Sequence, residues 1–178
     1  MTNPDASRLD ARHRLPVAWE ARPPELANLL NPAFGAFLLR AAASAHSKEC
    51  NQGLPLALAY MILPVALHGR SRRSLPETTR TRMVTWLARY PEARIGVAQR
   101  VQAVSPYTRE ALIFALRHRL LALDEFANLS PVRRRLRSYS PKAGSDAAHC
   151  VDAAELLGRW FARIGDPVSA LAMWGVQV

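Results

Sequence analysis

Apolar positions in this chain recur mostly at helical intervals, and prolines punctuate them. Asn31-Pro32 supplies an N-cap followed by proline at the first helical position, and Phe34, Phe37, Leu38 and Ala41 then fall at i, i+3, i+4 and i+7. That spacing predicts a helix with a narrow aromatic face. Leu56 to His68 is apolar on every side, so its helix belongs at the centre of the core, kinked near Pro64. Gly69-Arg70-Ser71-Arg72-Arg73 follows as a basic turn. Ser74-Leu75-Pro76-Glu77 has capping-box spacing and predicts a helix to Arg89, with Met83, Val84, Trp86 and Leu87 inward and Arg82, Thr85 and Arg89 outward. Tyr90-Pro91 and Ser105-Pro106 start two more helices. Val97, Val101 and Val104 face inward on the first, and Leu112, Leu116 and Leu120 form the stripe of the second. The last helix runs from Ala147 to Ile164, with Val151, Ala154, Leu157, Phe161 and Ile164 inward and Gly165 ending it. After Asp166-Pro167, the β-branched and apolar residues of 168–178 read as a strand that packs back on the domain, its partner unnamed.

Two stretches lack this periodicity. Residues 1–24 are polar, basic and proline-containing, which predicts a loosely held arm with one short extended piece around Leu15 to Trp19. Residues 124–146 predict an arginine-rich surface loop. The rest, 25–178, reads as one domain, because 178 residues suffice for a single core that buries roughly 70% of the unfolded surface. The fold class is therefore mainly α: a compact single-domain helical array with a short C-terminal strand. The longest apolar run, Leu54 to Leu67, holds 14 residues and two prolines, short of the roughly 20 that a membrane span needs. Asp5 and Asp10 in an N-terminus without an apolar run argue against a signal peptide, and two cysteines are too few for a disulfide framework. A cytoplasmic protein is expected.

Charge changes the picture more than composition does. Arginine and lysine total 24 against 14 acidic residues, a formal +10, and only Lys48 and Lys142 are lysines. Codon usage in a GC-rich genome accounts for arginine over lysine but not for the excess. Arg70, Arg72, Arg73, Arg80 and Arg82 surround one predicted helix start, and Arg133, Arg134, Arg135 and Arg137, with Lys142, make a second cluster. Guanidinium forks suit phosphate, so both clusters are candidate nucleic-acid contacts; a solvated surface paired to acidic neighbours is the plainer reading. Few acidic residues lie near either cluster in sequence. Little aromatic interleaving supports single-strand stacking. Trp174 is either a partner anchor or a core residue.

Catalytic patterns are absent. His46 and Cys50, or His149 and Cys150, are the only metal-like pairs, and adjacent residues such as the second pair hardly reach one tetrahedral ion. His46 and Lys48 near Cys50 could lower a thiol pKa, but no nucleophile elbow or cysteine-enzyme signature surrounds it. Asp124-Glu125, Glu110 and Glu77 suit helix ends better than acid–base pairs. No glycine-rich phosphate loop exists. Neither enzyme chemistry nor a cofactor or metal is expected.

Five phrases in order carry a resemblance. They are Asn31-Pro32-Ala33-Phe34; Leu54-Pro55-Leu56 leading to Leu63-Pro64-Val65-Ala66-Leu67-His68; Leu75-Pro76 with Thr79-Arg80-Thr81; Pro106-Tyr107-Thr108-Arg109-Glu110-Ala111-Leu112; and Leu157-Gly158-Arg159-Trp160-Phe161-Ala162 ahead of Trp174-Gly175-Val176. Together, over roughly 31–122 and 150–178, they resemble the middle component of bacterial three-component ABC ATPase systems. The chain departs from that pattern in its final Gln177-Val178 and in the arginine-rich 124–146. The resemblance implies a non-enzymatic adaptor between a chromosome-maintenance-like ABC ATPase and a third component, in conflict with invading DNA such as phage. By analogy it also implies a winged-helix-like arrangement. The competing expectation is a free-standing helix-turn-helix regulator that reads a promoter through the helix Ser74 to Arg89, with Arg82, Thr85 and Arg89 outward.

Overall fold

Asn31 turns its side-chain oxygen onto the backbone N–H groups of Ala33 and Phe34, and Pro32 starts α1, Pro32–Cys50, behind it. In the computed structural model, which describes residues 21–24, 27, 30–132 and 141–176, α1 is the central element. Its aromatic positions Phe34 and Phe37 are only half-buried. The buried face is instead Gly35, Ala36, Leu38, Leu39, Ala42, Ala43, Ala45 and His46. Small residues there let two other helices approach closely.

Seven α-helices are described, with one 3-10 turn and a small sheet. After α1 come β1, Leu54–Pro55, and the apolar α2, Leu56–Ala66, whose residues Met61 to Ala66 are all buried. Then follow α3, Gly69–Ser74; α4, Met83–Arg89; the 3-10 turn Pro91–Arg94; and α5, Val97–Arg117. A hairpin of β2, Leu121–Leu123, and β3, Asn128–Pro131, precedes α6, Asp146–Ile164, and α7, Pro167–Met173. The sheet is antiparallel in the order β1-β3-β2, with Leu54 opposite Leu129 and Leu123 opposite Leu129 on the other side. One core runs through the domain, formed by α1, α2, α5, α6 and α7 around Trp86, Trp160, Phe161 and Trp174.

The closest helix approaches use glycine. A Cβ on Gly158 of α6 would press on the Ala42 carbonyl of α1, 3.0 Å from its carbon and nearer still to its oxygen. One on Gly35 would meet the Ala111 Cβ of α5 at 2.8 Å. Thus α1 lies pressed between α6 and α5.

Several expectations are corrected here. The tail after Asp166 is a helix rather than a strand, because the Asp166 carboxylate accepts from Val168 N and Ser169 N and Pro167 occupies the first helical position. The helix places Ala170, Leu171 and Trp174 in the core. Strand structure lies instead in the hairpin, whose turn is closed by Asp124 accepting from Phe126 N and Asn128 N, so β3 occupies Asn128–Pro131 within the region expected as loop, of which 133–140 lie outside the described residues. Pro106 does not start a helix but sits inside α5. Buried Val97 on one side and Ala111, Leu112 and Ala115 on the other hold that helix on α1 and α2, which offsets the proline's missing hydrogen bond. Val84, expected inward, is exposed. Of the expected arm, residues 1–20 lie outside the described residues. Arg22, at its end, is buried, 2.7 Å from Glu110 and stacked over the Tyr107 ring. Among the described residues, no helix is long and apolar enough to cross a membrane.

Candidate nucleic-acid interface

The segment 69–82 carries the first arginine cluster, and its backbone is tied down at several points. His68 caps α3: its Nδ1 accepts from Ser71 N at 3.2 Å and lies 2.8 Å from Ser71 Oγ. The expected basic turn is therefore a helix. Ser74 is the last residue of that helix, its hydroxyl donating to Ser71 O, and the helix expected from Ser74 does not follow it. Residues 75–82 run as turns and bends, and α4 begins only at Met83. Two side chains of α6 hold this loop: Trp160 Nε1 donates to Thr81 O at 3.0 Å, and Arg163 donates to Thr79 O at 2.6 Å while pairing with Glu49 at 2.7 Å. The recognition helix that a regulator would need is thus seven residues long, with Val84, Thr85 and Arg89 exposed.

The arginines of the cluster separate into two kinds. Arg72 is buried: its Nη1 donates to Ala66 O at 2.8 Å and its Nη2 pairs with Asp146 at the start of α6. It braces α3 against α2 and α6 and is withdrawn from any surface contact. Arg70, Arg73, Arg80 and Arg82 are exposed and form no ion pair with a described carboxylate. Arg133, Arg134, Arg135 and Arg137 lie outside the described residues, and Lys142 beside them is exposed.

Two cavities flank α3. The one of about 590 Å³ toward α6 mixes signs, with Arg73 and Arg159 facing Glu77, Asp146 and Asp152. The other, of about 450 Å³, lies toward α5 and the 3-10 turn and collects His68, Arg70, Ser71 and Arg100, with Glu92 as its one carboxylate among the described residues. Arg100 was not expected from sequence. Nothing local marks it, because it reaches α3 only when α5 is laid beside that helix. Desolvation lowers the His68 pKa, and the charges of Arg100, Arg70, Arg72 and Arg73 push it further the same way. Arg80 and Arg82 border neither cavity.

The cysteine sites read differently in three dimensions. Cys50 Sγ stands 3.5 Å from His46 Nδ1, but Nδ1 also lies 3.1 Å from Gln52 O, which can only accept. The Nδ1 proton is therefore committed to Gln52, leaving no lone pair there for the thiol proton, which is directed at His46 O. Burial lowers the His46 pKa and raises that of Cys150. Among the described residues, no three His, Cys, Asp or Glu side chains converge as metal ligands. Trp174 is buried, its ring centroid 6.0 Å from that of Trp86 and its Nε1 3.2 Å from Met83 Sδ, so it serves the core.

Fold and surface together define a small, mainly helical single-domain protein with a braced cationic segment. The model of one protein family, ABC-three component (ABC-3C) system Middle Component 3, matches residues 19–178, and the chain belongs to that family. No curated protein and no solved structure matches it significantly.

Proposed function

We propose that this protein is a non-enzymatic adaptor that bridges a chromosome-maintenance-like ABC ATPase to the third component of its system. It acts in the cytoplasm against invading DNA such as phage, and it lays the segment 69–82 on the DNA backbone. Family membership supports the middle position in the assembly. The DNA contact rests on one observation: Arg70, Arg73, Arg80 and Arg82 are exposed and lack carboxylate partners among the described residues, on a backbone held by Arg72, Trp160 and Arg163. A held array of guanidinium groups spends little conformational entropy on meeting a phosphate backbone. A promoter-reading regulator is less well supported, because α4 has only seven residues.

The test is duplex binding by the protein alone and by its complex with the ATPase and third component, measured from 50 to 200 mM salt. Replacing all four arginines with alanine is expected to flatten the slope of log K against log salt by about 3 to 4, near 0.9 for each phosphate no longer neutralised. An unchanged slope would remove the DNA contact. Failure to co-purify with the ATPase after nuclease treatment would remove the adaptor.

A further inference from the structure

The cavity between α3, α5 and the 3-10 turn has a chemistry of its own. Arg100 is half-buried at its edge, with Nη2 3.2 Å from Ser71 Oγ and Nη1 3.2 Å from Ile95 O. Among the described residues its buried Nε has no acceptor and no carboxylate pairs with the guanidinium. Burial lowers the pKa of this group, yet a guanidinium stays charged at any physiological pH. A half-buried cation without a counter-ion is costly, and an anion would relieve it.

Hydrogen-bond directions fix the neighbouring groups. Arg100 donates to Ser71 Oγ, so the hydroxyl turns its own proton toward His68 Nδ1, which already accepts from Ser71 N. The Nδ1 lone pair is thereby occupied, and neutral His68 carries its proton on Nε2. Arg70 adds an exposed charge that forms no ion pair among the described residues. Gly96, at φ +72°, also lines the cavity, and a Cβ there would stand 3.2 Å from Arg100 Nη1.

We propose that this cavity is a phosphoryl-anion site in which Arg100 and Arg70 supply the charge and His68 Nε2–H a directional donor. Its volume of about 450 Å³ accepts a phosphate with room for what carries it. Two sources share that chemistry: a free phosphoryl ligand, or one phosphate of a nucleic-acid backbone. Glu92 is the opposing charge on the wall and sets a limit on affinity that its removal lifts. Arg70 is shared with the DNA contact proposed above, but Arg100 and His68 belong to this cavity alone, so changes at Arg100 test the site apart from that contact.

The experiment titrates the full chain with inorganic phosphate at constant ionic strength, chloride as the balancing ion, and follows the imidazole nitrogens by NMR. Saturable shifts of the His68 signals are expected, with those of His118 and His149 unmoved. Arg100→Gln, which keeps a polar head without the charge, should weaken binding about tenfold or more, while Glu92→Gln tightens it. No saturable shift at His68, or equal affinity in wild type and Arg100→Gln at matched thermal stability, overturns the site. A short duplex then distinguishes the sources. If phosphate competes with the duplex and Arg100→Gln weakens it, the backbone is the source. If duplex binding ignores both while phosphate still saturates the site, the ligand is free.

Discussion

Replacing Gly158 with alanine sets two effects of opposite sign against each other. In a helix interior alanine is favoured over glycine by about 1 kcal/mol, so propensity alone predicts a more stable protein. Against this, the new methyl would stand 3.0 Å from the Ala42 carbonyl carbon and 3.1 Å from its Cα, with the oxygen nearer still. These atoms belong to the backbone of the buried helix α1 and cannot swing aside as a flexible side chain would. Carbon atoms settle at about 3.5–4.0 Å, so α1 and α6 must separate by at least about half an ångström, and such a gap forfeits a quarter or more of each dispersion contact across it. The contacts at stake include buried Leu38, Leu39, Leu157 and Phe161. Overpacking of this kind costs about 3 kcal/mol at its upper range, so the net loss after the propensity gain is about 2 kcal/mol. For a chain of this size that lowers Tm by about 4–8 °C. Urea unfolding followed by tryptophan fluorescence reads it directly, since Trp86, Trp160 and Trp174 are all buried. A variant as stable as the parent, with an unchanged m-value, would refute the claim that this glycine exists for helix approach.

Two further outcomes are expected. Arg72→Ala deprives Ala66 O of its buried donor and should cost about 2–3 kcal/mol. Asp146→Ala leaves the buried Arg72 guanidinium without its carboxylate and should cost a similar amount, about 2–3 kcal/mol, although the carboxylate itself is 81% exposed; a loss under about 1 kcal/mol from the denaturant midpoint would mean that the carbonyl tie alone holds α3. His46 and His68 both have pKa values below the ordinary 6.5, the first chiefly through desolvation, the second through desolvation and then nearby arginines. The unfolded chain therefore binds more protons just below pH 6.5, so stability is complete above that pH and declines as pH falls through it, levelling off below the folded pKa values. Asp124 and Asp166, lowered from 3.8 by backbone and side-chain hydrogen bonds, act only at more acidic pH. Urea midpoints should thus drop between pH 7.5 and 5.5 in the parent, and less in a His46→Gln, His68→Gln double variant; an identical drop in both would show that other groups carry it.

Chain-local chemistry settled a good part of the architecture. Asn31-Pro32 and the apolar run from Leu56 started α1 and α2 near where the pattern placed them, and Gly165 closed α6, because caps and periodicity act within a turn or two of chain. The five ordered phrases pointed to the family that the match to residues 19–178 establishes. The tail is also locally encoded, in Asp166-Pro167: its β-branched composition suggests a strand, but the cap and the proline prevail and make a helix. Other features had no local signal at all. Pro106 stays inside α5 because packing on α1 and α2 outweighs one missing hydrogen bond. Arg72 left the basic cluster for the interior because Asp146, 74 residues away, and the carbonyl end of α2 receive it. Arg100 joined His68 and Ser71 only through the placement of α5 beside α3. Sequence spacing determines which residues share a helix face; which distant face comes to meet them is decided by core packing, and the candidate site is made of such meetings.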